Sequence, residues 1–383
     1  MKKFKHISLF SGCGGMDLGI QGNFYAHKEF INIKGRIKKN FVKLPKTNFE
    51  TVFANDIKKS AEVFWNHNNL NKNHVFARGS IVDLVKNSKS EDIFPKNIDL
   101  VTGGFPCQDF SVSGLRNGFQ SHKSHLNKVN NENSEETRGK LYLWMKEVIE
   151  ITNPKVFIAE NVKGIMSIGD VFEIIKNDFR NTGNGYTVFA RELYAPDYGI
   201  PQSRRRVFFI GICNDFVKKN KIILDEDAFF PDKEYQAHPE LFNEFKEYPK
   251  AKHFFDGLLE PEIEDKDLSQ MKFSKAKFIK GSQGQTQVNQ EGIAPTIRSE
   301  HHGNIEFRYL HKENGGDYDK QRRLSVRECA RIQTFPDSQD FVFESNKGNL
   351  SASEAYKLIG DAVPPLLAYK VAIKIENFLI KYL

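Results

Sequence analysis

The 383-residue sequence is poor in cysteine, and its four cysteines, Cys13, Cys107, Cys213 and Cys329, lie far apart. None belongs to a Cys-x-x-Cys pair, so the pattern argues against a disulfide framework and against a zinc site. Free thiols are typical of a reducing compartment, where any one of the four could be reactive.

The sequence also lacks long apolar runs, and none approaches the ~20 residues needed to span a bilayer. Its basic first residues run into a glycine-rich segment without a small-residue cleavage site, so we expect no signal peptide and a cytoplasmic location. The 39% of hydrophobic residues suffices for a substantial core. The net charge of +7 is a weak indication of a polyanionic partner, because many proteins are equally basic.

Short apolar runs alternate with helical patterns in the first half of the chain. Apolar residues from Leu141 to Ile149 recur at helical spacing between two of these runs. Strands separated by helices predict a doubly wound α/β fold with a mainly parallel sheet. The predicted strands are His6–Phe10, Thr51–Asn55, Ile98–Thr102, Val156–Ala159, Tyr186–Ala190 and Val207–Ile212.

Three stretches interrupt the alternation. Residues 22–50 are interpreted as an insertion, residues 120–136 as a long polar loop, and residues 213–295 as the start of a smaller domain. The predicted organisation is a first domain of residues 1–212, a second of residues 213–340, and a C-terminal segment, 341–383, that returns to the first.

Regular patterns return near the end of the chain. Ser325 and Glu328 have the spacing of a helix capping box, and Leu324 could pack against Cys329 beside it. Helical spacing of apolar residues then resumes from Leu366.

A glycine-rich turn, Phe10–Gly19, follows the first predicted strand and opens a helix. Glycines there let the backbone turn tightly and approach a ligand. Asp17 stands where a dinucleotide fingerprint needs glycine, so a nicotinamide oxidoreductase is poorly supported. Asp56 ends the second strand, where a carboxylate could hold ribose hydroxyls, and Ile57 could cover an adenine. The alternatives are a turn without a ligand and a carboxylate that caps the next helix.

Cys107 follows the Ile98–Thr102 strand, at the carboxyl edge where doubly wound sheets place their chemistry. Glu160 ends the Val156–Ala159 strand and should emerge at the same edge, and Arg204 and Arg206 precede the Val207–Ile212 strand. A thiol, a carboxyl group and guanidinium groups suit addition to an electron-poor ring. A protonated carboxyl could donate to a ring nitrogen, and a guanidinium could hold a carbonyl oxygen. A buried structural cysteine, a solvated strand end and a surface charge run are the alternatives.

These elements, in this order, resemble the cytosine-C5 DNA methyltransferase family from about Ile7 to Leu367. The resemblance is carried by the Phe-Ser-Gly-x-Gly-Gly turn, Pro106-Cys-Gln, Glu160-Asn-Val, the Gln-x-Arg-x-Arg run from Gln202, the stretch Arg323–Pro336, and Gly360-Asp-Ala-Val-Pro. It implies a Rossmann-like methyltransferase sheet with a smaller target-recognition domain.

The resemblance implies that Cys107 adds to C6 of a cytosine flipped out of duplex DNA. Glu160 would hold N3 and the exocyclic amine, while Arg204 and Arg206 would steady the base and its pocket, with Arg206 on O2. Addition makes C5 carbanion-like, so that it takes a methyl group from S-adenosylmethionine and leaves S-adenosylhomocysteine.

The resemblance also implies two sets of binding residues, with no metal. The cofactor set is Phe10, Gly12, Gly14, Gly15, Asp56, Ile57, Ser80, Ile81, Pro106, Leu141 and Asp361. The DNA set is Gln108, Ser111, Ser113, Arg116, Thr296 and Arg298. A monomer that acts on double-stranded DNA, paired in function with a restriction endonuclease, is the expected context.

Three departures from the family pattern stand out. Ser80 replaces the usual Asp of a cofactor element, and Asp83 lies too far along to substitute for it. Asp361 replaces an Asn of the C-terminal element. The loop after Cys107 is lengthened by residues 120–136. None of these changes removes the nucleophile.

DNA sequence choice is expected from about residues 213–322. Polar and basic residues in Lys272–Lys280, Gly281–Gln287 and Ala294–Arg298 could reach phosphates and base edges. The adjacent His301 and His302 lack convergent ligands, so a DNA-facing or solvated role is favoured over a metal. A tRNA-methylating enzyme is disfavoured because its Cys-Phe-Thr element is missing, and a catalytically silent DNA-binding protein because Cys107, Glu160 and Arg206 are all present.

Overall fold

The computed structural model describes residues 2–31, 37–70, 75–106, 140–239, 244–274, 288–299, 307–309, 321–346 and 348–383. Several sequence predictions lie outside these residues. They concern Cys107, Gln108, Ser111, Ser113, Arg116, residues 120–136, most of Lys272–Lys280, Gly281–Gln287, His301 and His302.

Fourteen strands lie in the described part of the chain. They are β1 Phe4–Leu9, β2 Tyr25–His27, β3 Ile37–Lys38, β4 Phe41–Lys43, β5 Phe49–Asp56, β6 Val75–Arg78, β7 Leu100–Gly104, β8 Val156–Val162, β9 Tyr186–Tyr194, β10 Arg205–Cys213, β11 Tyr235–Gln236, β12 Lys246–Glu247, β13 Phe307–Tyr309 and β14 Gln321–Arg323.

Ten α-helices lie in the same ranges, and none is both long and apolar enough to cross a membrane. They are α1 Gly15–Gln21, α2 Lys59–His67, α3 Ile81–Asn87, α4 Leu141–Thr152, α5 Val171–Arg180, α6 Asn214–Lys219, α7 Leu268–Met271, α8 Val326–Ile332, α9 Ala352–Asp361 and α10 Pro365–Tyr382.

The central sheet has seven strands in the order β6-β5-β1-β7-β8-β10-β9. The five strands from β6 to β8 pair in parallel, whereas β10 runs antiparallel to both β8 and β9. The chain leaves β1 toward β5 on one side and later returns to β7 on the other. In such sheets a ligand crevice opens beyond the carboxyl ends of the strands where the order reverses, here β1 and β7. The prediction of a mainly parallel α/β sheet is confirmed.

All six predicted strands are present in this sheet. Strands such as β1, β7 and β8 are almost wholly buried, as expected for apolar runs covered on both faces. The edge strand β6 was not predicted, because its apolar run, Val75–Ala77, is only three residues long and none of its residues is fully buried.

The predicted insertion 22–50 contains a small antiparallel sheet of order β2-β4-β3. Strand β5 of the central sheet begins at the end of the insertion. The described residues between Asn214 and Pro295 form short elements, among them α6, α7, β11 and β12. Helix α10 begins at Pro365, next to the predicted Leu366, and the Ser325–Glu328 capping box of α8 is confirmed. Helix α9 was missed, although Ser351 and Glu354 form a second capping box at its start.

A buried ionic cluster ties α8 to the segment before it. Arg322 donates to Glu328 from two nitrogens, at 2.8 and 2.7 Å, and to Glu260 at 2.8 Å. Both carboxylates are fully buried, so the guanidinium supplies the charge and the hydrogen bonds that their burial requires. The cluster therefore fixes where the chain around Glu260 meets the start of α8.

Helix α1 packs very closely on the start of α10 through Gly19. A Cβ on Gly19 would lie 2.4 Å from Cβ of Ala368 and 2.5 Å from the carbonyl oxygen of Pro365. Any side chain there would push the helices apart.

We expect Gly19→Ala to destabilise the protein by about 2 kcal/mol, because overpacking outweighs the better helix propensity of alanine. Urea unfolding followed by circular dichroism measures the change. Gly79→Ala is the matched control, since nothing lies within 4 Å of its Cβ position, and it should shift the free energy of unfolding by less than about 0.5 kcal/mol. Equal effects of the two changes would contradict the close-packing argument.

Candidate active site

The glycine-rich turn lies at the carboxyl end of β1. Phe10, Gly12 and Gly14 all have positive φ, of 54°, 53° and 71°, so the chain reverses direction sharply before α1 begins at Gly15. Phe10 thus ends the strand rather than extending it. Gly15 is pressed against the segment after α9, where a Cβ would lie 2.4 Å from the carbonyl oxygen of Val363. The turn therefore meets the C-terminal element that the sequence placed in the same site.

Asp56 fastens this turn to the end of β5. Its two carboxylate oxygens accept from the backbone N–H groups of Gly12 and Lys58, each at 2.8 Å. The carboxyl group is buried, and burial raises its pKa above the usual range against the lowering effect of Lys58. Ile57 beside it is exposed.

The same rim continues at the end of β6. Ser80 is the N-cap of α3 and accepts from the backbone N–H of Val82 at 3.2 Å, and Ile81 behind it is buried. Asp83 lies in the first turn of α3 and is exposed, so the serine here acts as a helix cap.

The residues of this rim fit a nucleoside cofactor. Nothing lies within 4 Å of where a Cβ would stand on Gly12 or Gly79, so the backbone is open to a close approach at both places. The exposed Ile57 offers an apolar face between them, and Asp56 offers a carboxylate. Leu141, in contrast, is buried at the start of α4.

Asp361 forms an ion pair with Lys58, a residue that the sequence analysis missed. The Lys58 ammonium donates to the Asp361 carboxylate at 2.6 Å, and both side chains are partly exposed. Asp361 also raises the pKa of both Asp56 and Glu160 through its charge, so it lies within electrostatic reach of both carboxyl groups. The negative charge of Asp361 is thus balanced by Lys58, which lies two residues after Asp56 in the sequence.

Glu160 and Arg206 meet at the carboxyl end of β8. Arg206 Nε lies 2.9 Å from Glu160 Oε1, and both side chains are largely buried. This oxygen makes no well-aligned hydrogen bond within the described ranges, so it retains the capacity to bind a further group. Burial raises the pKa of Glu160, with Arg206 and Arg204 opposing the rise. A carboxyl group of this kind holds its proton to higher pH than an ordinary glutamate.

The segment that leads to Cys107 ends beside Glu160. Gly104, the last residue of β7, pairs with Glu160 across the sheet, and its Cβ position lies 3.0 Å from Oε2 of that residue. Asn161 donates to the backbone carbonyl of Phe105 at 3.2 Å. Pro106 is the last residue described before Cys107.

Arg204 lies behind this pair and is fully buried. Its guanidinium donates to three backbone carbonyls: Ile297 at 2.9 Å, Gly360 at 3.0 Å and Ala362 at 2.7 Å. Three distant parts of the chain therefore meet on one side chain, which positions the site from behind.

The 294–298 stretch runs along the start of β10. Ser203 N–H donates to the Ala294 carbonyl at 2.8 Å, and the Thr296 hydroxyl donates to the Ser203 carbonyl. Arg298 is exposed. These are the two predicted DNA contacts in the described part of the chain. Thr296 is held by the protein backbone, whereas the exposed Arg298 can face solvent or a polyanion.

Arg204→Met should destabilise the protein by at least about 3 kcal/mol, because it removes three charge-assisted hydrogen bonds and leaves buried carbonyls without them. The neighbouring Arg205 is the matched control. It is exposed, pairs with Glu192 and covers the ring of Tyr194, so Arg205→Met should cost about 1 kcal/mol. Urea unfolding of both variants measures the difference, and similar midpoints would refute the positioning role of Arg204.

Known type II methyltransferases resemble this chain over nearly its whole length. The chain is 32% identical to the type II methyltransferase M.BspRI of Lysinibacillus sphaericus, over all of this chain and 83% of that protein. It is 30% identical to M.NgoPII of Neisseria gonorrhoeae, over 98% of this chain and 96% of that protein.

Solved structures share the fold. The Dnmt2 methyltransferase of S. pombe matches with a TM-score of 0.59 and 18% identity, over 99% of this chain and all of that chain. The methyltransferase EhMeth of Entamoeba histolytica also gives a TM-score of 0.59, with 16% identity, over 99% of each chain. The family model described as C-5 cytosine-specific DNA methylase matches residues 4–377. The chain therefore belongs to the C-5 cytosine-specific DNA methylases.

Proposed function

We propose that this DNA cytosine-5 methyltransferase works through a transient bond between Cys107 and C6 of a cytosine flipped out of a specific duplex sequence. The observation that carries the proposal is the Glu160–Arg206 pair at the carboxyl end of β8. It stands beside Gly104, three residues before Cys107 in the sequence. A protonated carboxyl, a guanidinium and a thiol are the groups that addition to a cytosine ring requires.

The role of Glu160 follows from its burial. A buried carboxyl with a raised pKa can keep a proton and donate it to N3, which withdraws electrons from the ring as the thiolate attacks C6. Arg206 is the cation that can hold the carbonyl oxygen O2. Glu160 and Arg206 pair with each other in this structure. A bound cytosine would replace that contact with hydrogen bonds to its own polar edge.

The adduct turns C5 into a carbanion-like centre, and loss of its proton after methylation expels the thiol. When bound, S-adenosylmethionine supplies the electrophilic methyl group. Phe10, Gly12, Gly14 and Gly15 would line its site, with Asp56 on the ribose and Ile57 against the adenine. Ser80, Ile81, Pro106, Leu141 and Asp361 complete the proposed set.

The proposed context is double-stranded DNA in a prokaryotic cytoplasm. The relatives M.BspRI and M.NgoPII are named type II methyltransferases, which supports protection of host DNA from a cognate restriction endonuclease. Gln108, Ser111, Ser113, Arg116, Thr296 and Arg298 are the proposed DNA contacts of a monomeric enzyme. Bisulfite sequencing of DNA from cells that express the chain gives the methylated sequence, with tRNA as the control substrate.

Cys107→Ala should abolish transfer of radiolabelled methyl groups to duplex DNA while DNA binding persists, because the alanine cannot form the adduct. Cys213→Ala is the matched control. Cys213 is buried and pairs with Tyr186 at the end of the strands opposite to Glu160. With DNA that carries 5-fluorocytosine, the wild-type protein should form a complex that survives denaturation, since no C5 proton can leave. Full methylation by Cys107→Ala, or normal turnover without that complex, rules the mechanism out.

Glu160→Gln should lower kcat by about 10²-fold or more, because an amide cannot deliver a proton to N3. Glu192→Gln serves as control: Glu192 lies on β9, two strands away from β8, and pairs with Lys163 and Arg205, outside the Glu160–Arg206 pair. Single-turnover methylation at saturating DNA separates the two variants. A Glu160→Gln enzyme as fast as the Glu192→Gln enzyme would exclude Glu160 as the proton donor.

A further inference from the structure

Two histidines and an aspartate meet far from the Glu160–Arg206 pair in the sequence and outside every motif described above. His27 Nε2 lies 3.0 Å from Asp256 Oδ2, and His253 Nδ1 lies 3.8 Å from the same oxygen. One ligand atom from each of the three residues lies within 4.8 Å of the other two. His27 ends β2 in the 22–50 insertion, whereas His253 and Asp256 belong to a turn more than 220 residues later.

These distances suit a tetrahedral zinc ion. Zinc binds imidazole nitrogen and carboxylate oxygen at about 2.0–2.2 Å, so two ligand atoms on one ion lie ~3.3 Å apart. The two imidazole rings are stacked, with centroids 4.9 Å apart and planes inclined by 24°. Because zinc lies in the plane of each imidazole that binds it, one ring has to turn before both nitrogens and the carboxylate oxygen reach the same ion.

The surroundings can complete the ligand set. Asn40 donates to Asp256 Oδ2 at 3.1 Å, and a flipped amide would turn its oxygen toward an ion as a fourth ligand in place of water. Phe30 packs against both histidines and Phe41 against His27, so an apolar shell surrounds the ligands.

Zinc on Nε2 of His27 requires the ring proton to move to Nδ1. That nitrogen now accepts a long 3.3 Å contact from the backbone N–H of Glu29, which would be lost. A zinc-bound histidine usually donates this proton to a carboxylate, a backbone carbonyl or water, and Glu29 is the nearest acidic residue in the sequence.

The backbone around the three ligands is held by other contacts. Arg331 donates to the carbonyls of Phe254 and Asp256, at 3.2 and 2.7 Å, and its charge is matched by two hydrogen bonds to Asp337. His27 pairs with Phe41 in the small sheet. The ligands are thus placed before any ion arrives, which lowers the entropic cost of binding.

We propose that His27, His253 and Asp256 bind one zinc ion that clips the 22–50 insertion to the turn at Ala251–Asp256. The site goes beyond methyl transfer, because its three residues contact none of the described groups assigned to cytosine or cofactor. Its consequence is structural: the ion adds a cross-link between two segments that are also joined by hydrogen bonds to Asp256 and by the packing of Phe30 on Phe254.

Zinc binding is measured with purified metal-free protein by competition with a chromophoric chelator and by the melting temperature across a Zn²⁺ titration. The wild-type chain should bind one ion and melt higher as Zn²⁺ rises. His253→Gln and Asp256→Asn should each weaken binding at least tenfold and remove the rise in Tm. His67→Gln is the matched control, since His67 also pairs with an aspartate, Asp340 at 3.1 Å, but belongs to no three-ligand group among the described residues. It should bind zinc like the wild type.

Cobalt substitution identifies the ligands even if a variant fails to fold. Co²⁺ in the wild-type protein should give the visible bands of a tetrahedral nitrogen–oxygen site without thiolate charge transfer. A thiolate band would overturn the proposal by placing the metal on a cysteine. Failure to compete with the chelator, or equal affinity in His253→Gln and His67→Gln, would overturn it as well.

Discussion

The buried guanidinium of Arg204 is the contact on which the arrangement of the active site depends. It joins the entry to β10, the Ile297 carbonyl and the Gly360–Ala362 carbonyls at one point. A guanidinium cannot lose its charge inside a protein, so it needs acceptors around it, and within the described residues three backbone carbonyls serve as acceptors. The chain cannot move any of these three segments without leaving a buried charge or a buried carbonyl unsatisfied. Their relative positions are therefore fixed together.

The positions of two ion pairs in the active site depend on the segments that Arg204 joins. β10 carries Arg206 to Glu160, and the end of α9 carries Asp361 to Lys58. Two carboxyl groups of the site, Asp56 and Glu160, have pKa values that are raised mainly by burial, and the charge of Asp361 adds to the rise at both. Asp361 is itself paired with Lys58, so this ion pair lies within electrostatic reach of both carboxyl groups.

Motif order in the sequence predicted much of this. The parallel sheet, the glycine turn, the place of Asp56 and the meeting of Glu160 with Arg206 were all expected, because buried strands have continuous apolar runs and loops at their carboxyl ends converge. Strand β6 escaped prediction since it is half-exposed, and α9 since its apolar face is short. Arg204 was expected near the base, yet the structure gives it a positioning role, and Lys58 has no local signal that sets it apart from other surface lysines.

By itself, the sequence determined the fold class and the family, since these depend on local periodicity and on short motifs, and the same motifs are the ground on which the reactive groups are proposed. Only the tertiary structure decided which distant side chains share a site. His27 and Asp256, Lys58 and Asp361, and Arg204 with its three carbonyls are separated by many residues, and no periodic pattern connects them. Such contacts arise where loops from different layers of the fold meet, and the geometry there depends on packing summed over the whole core.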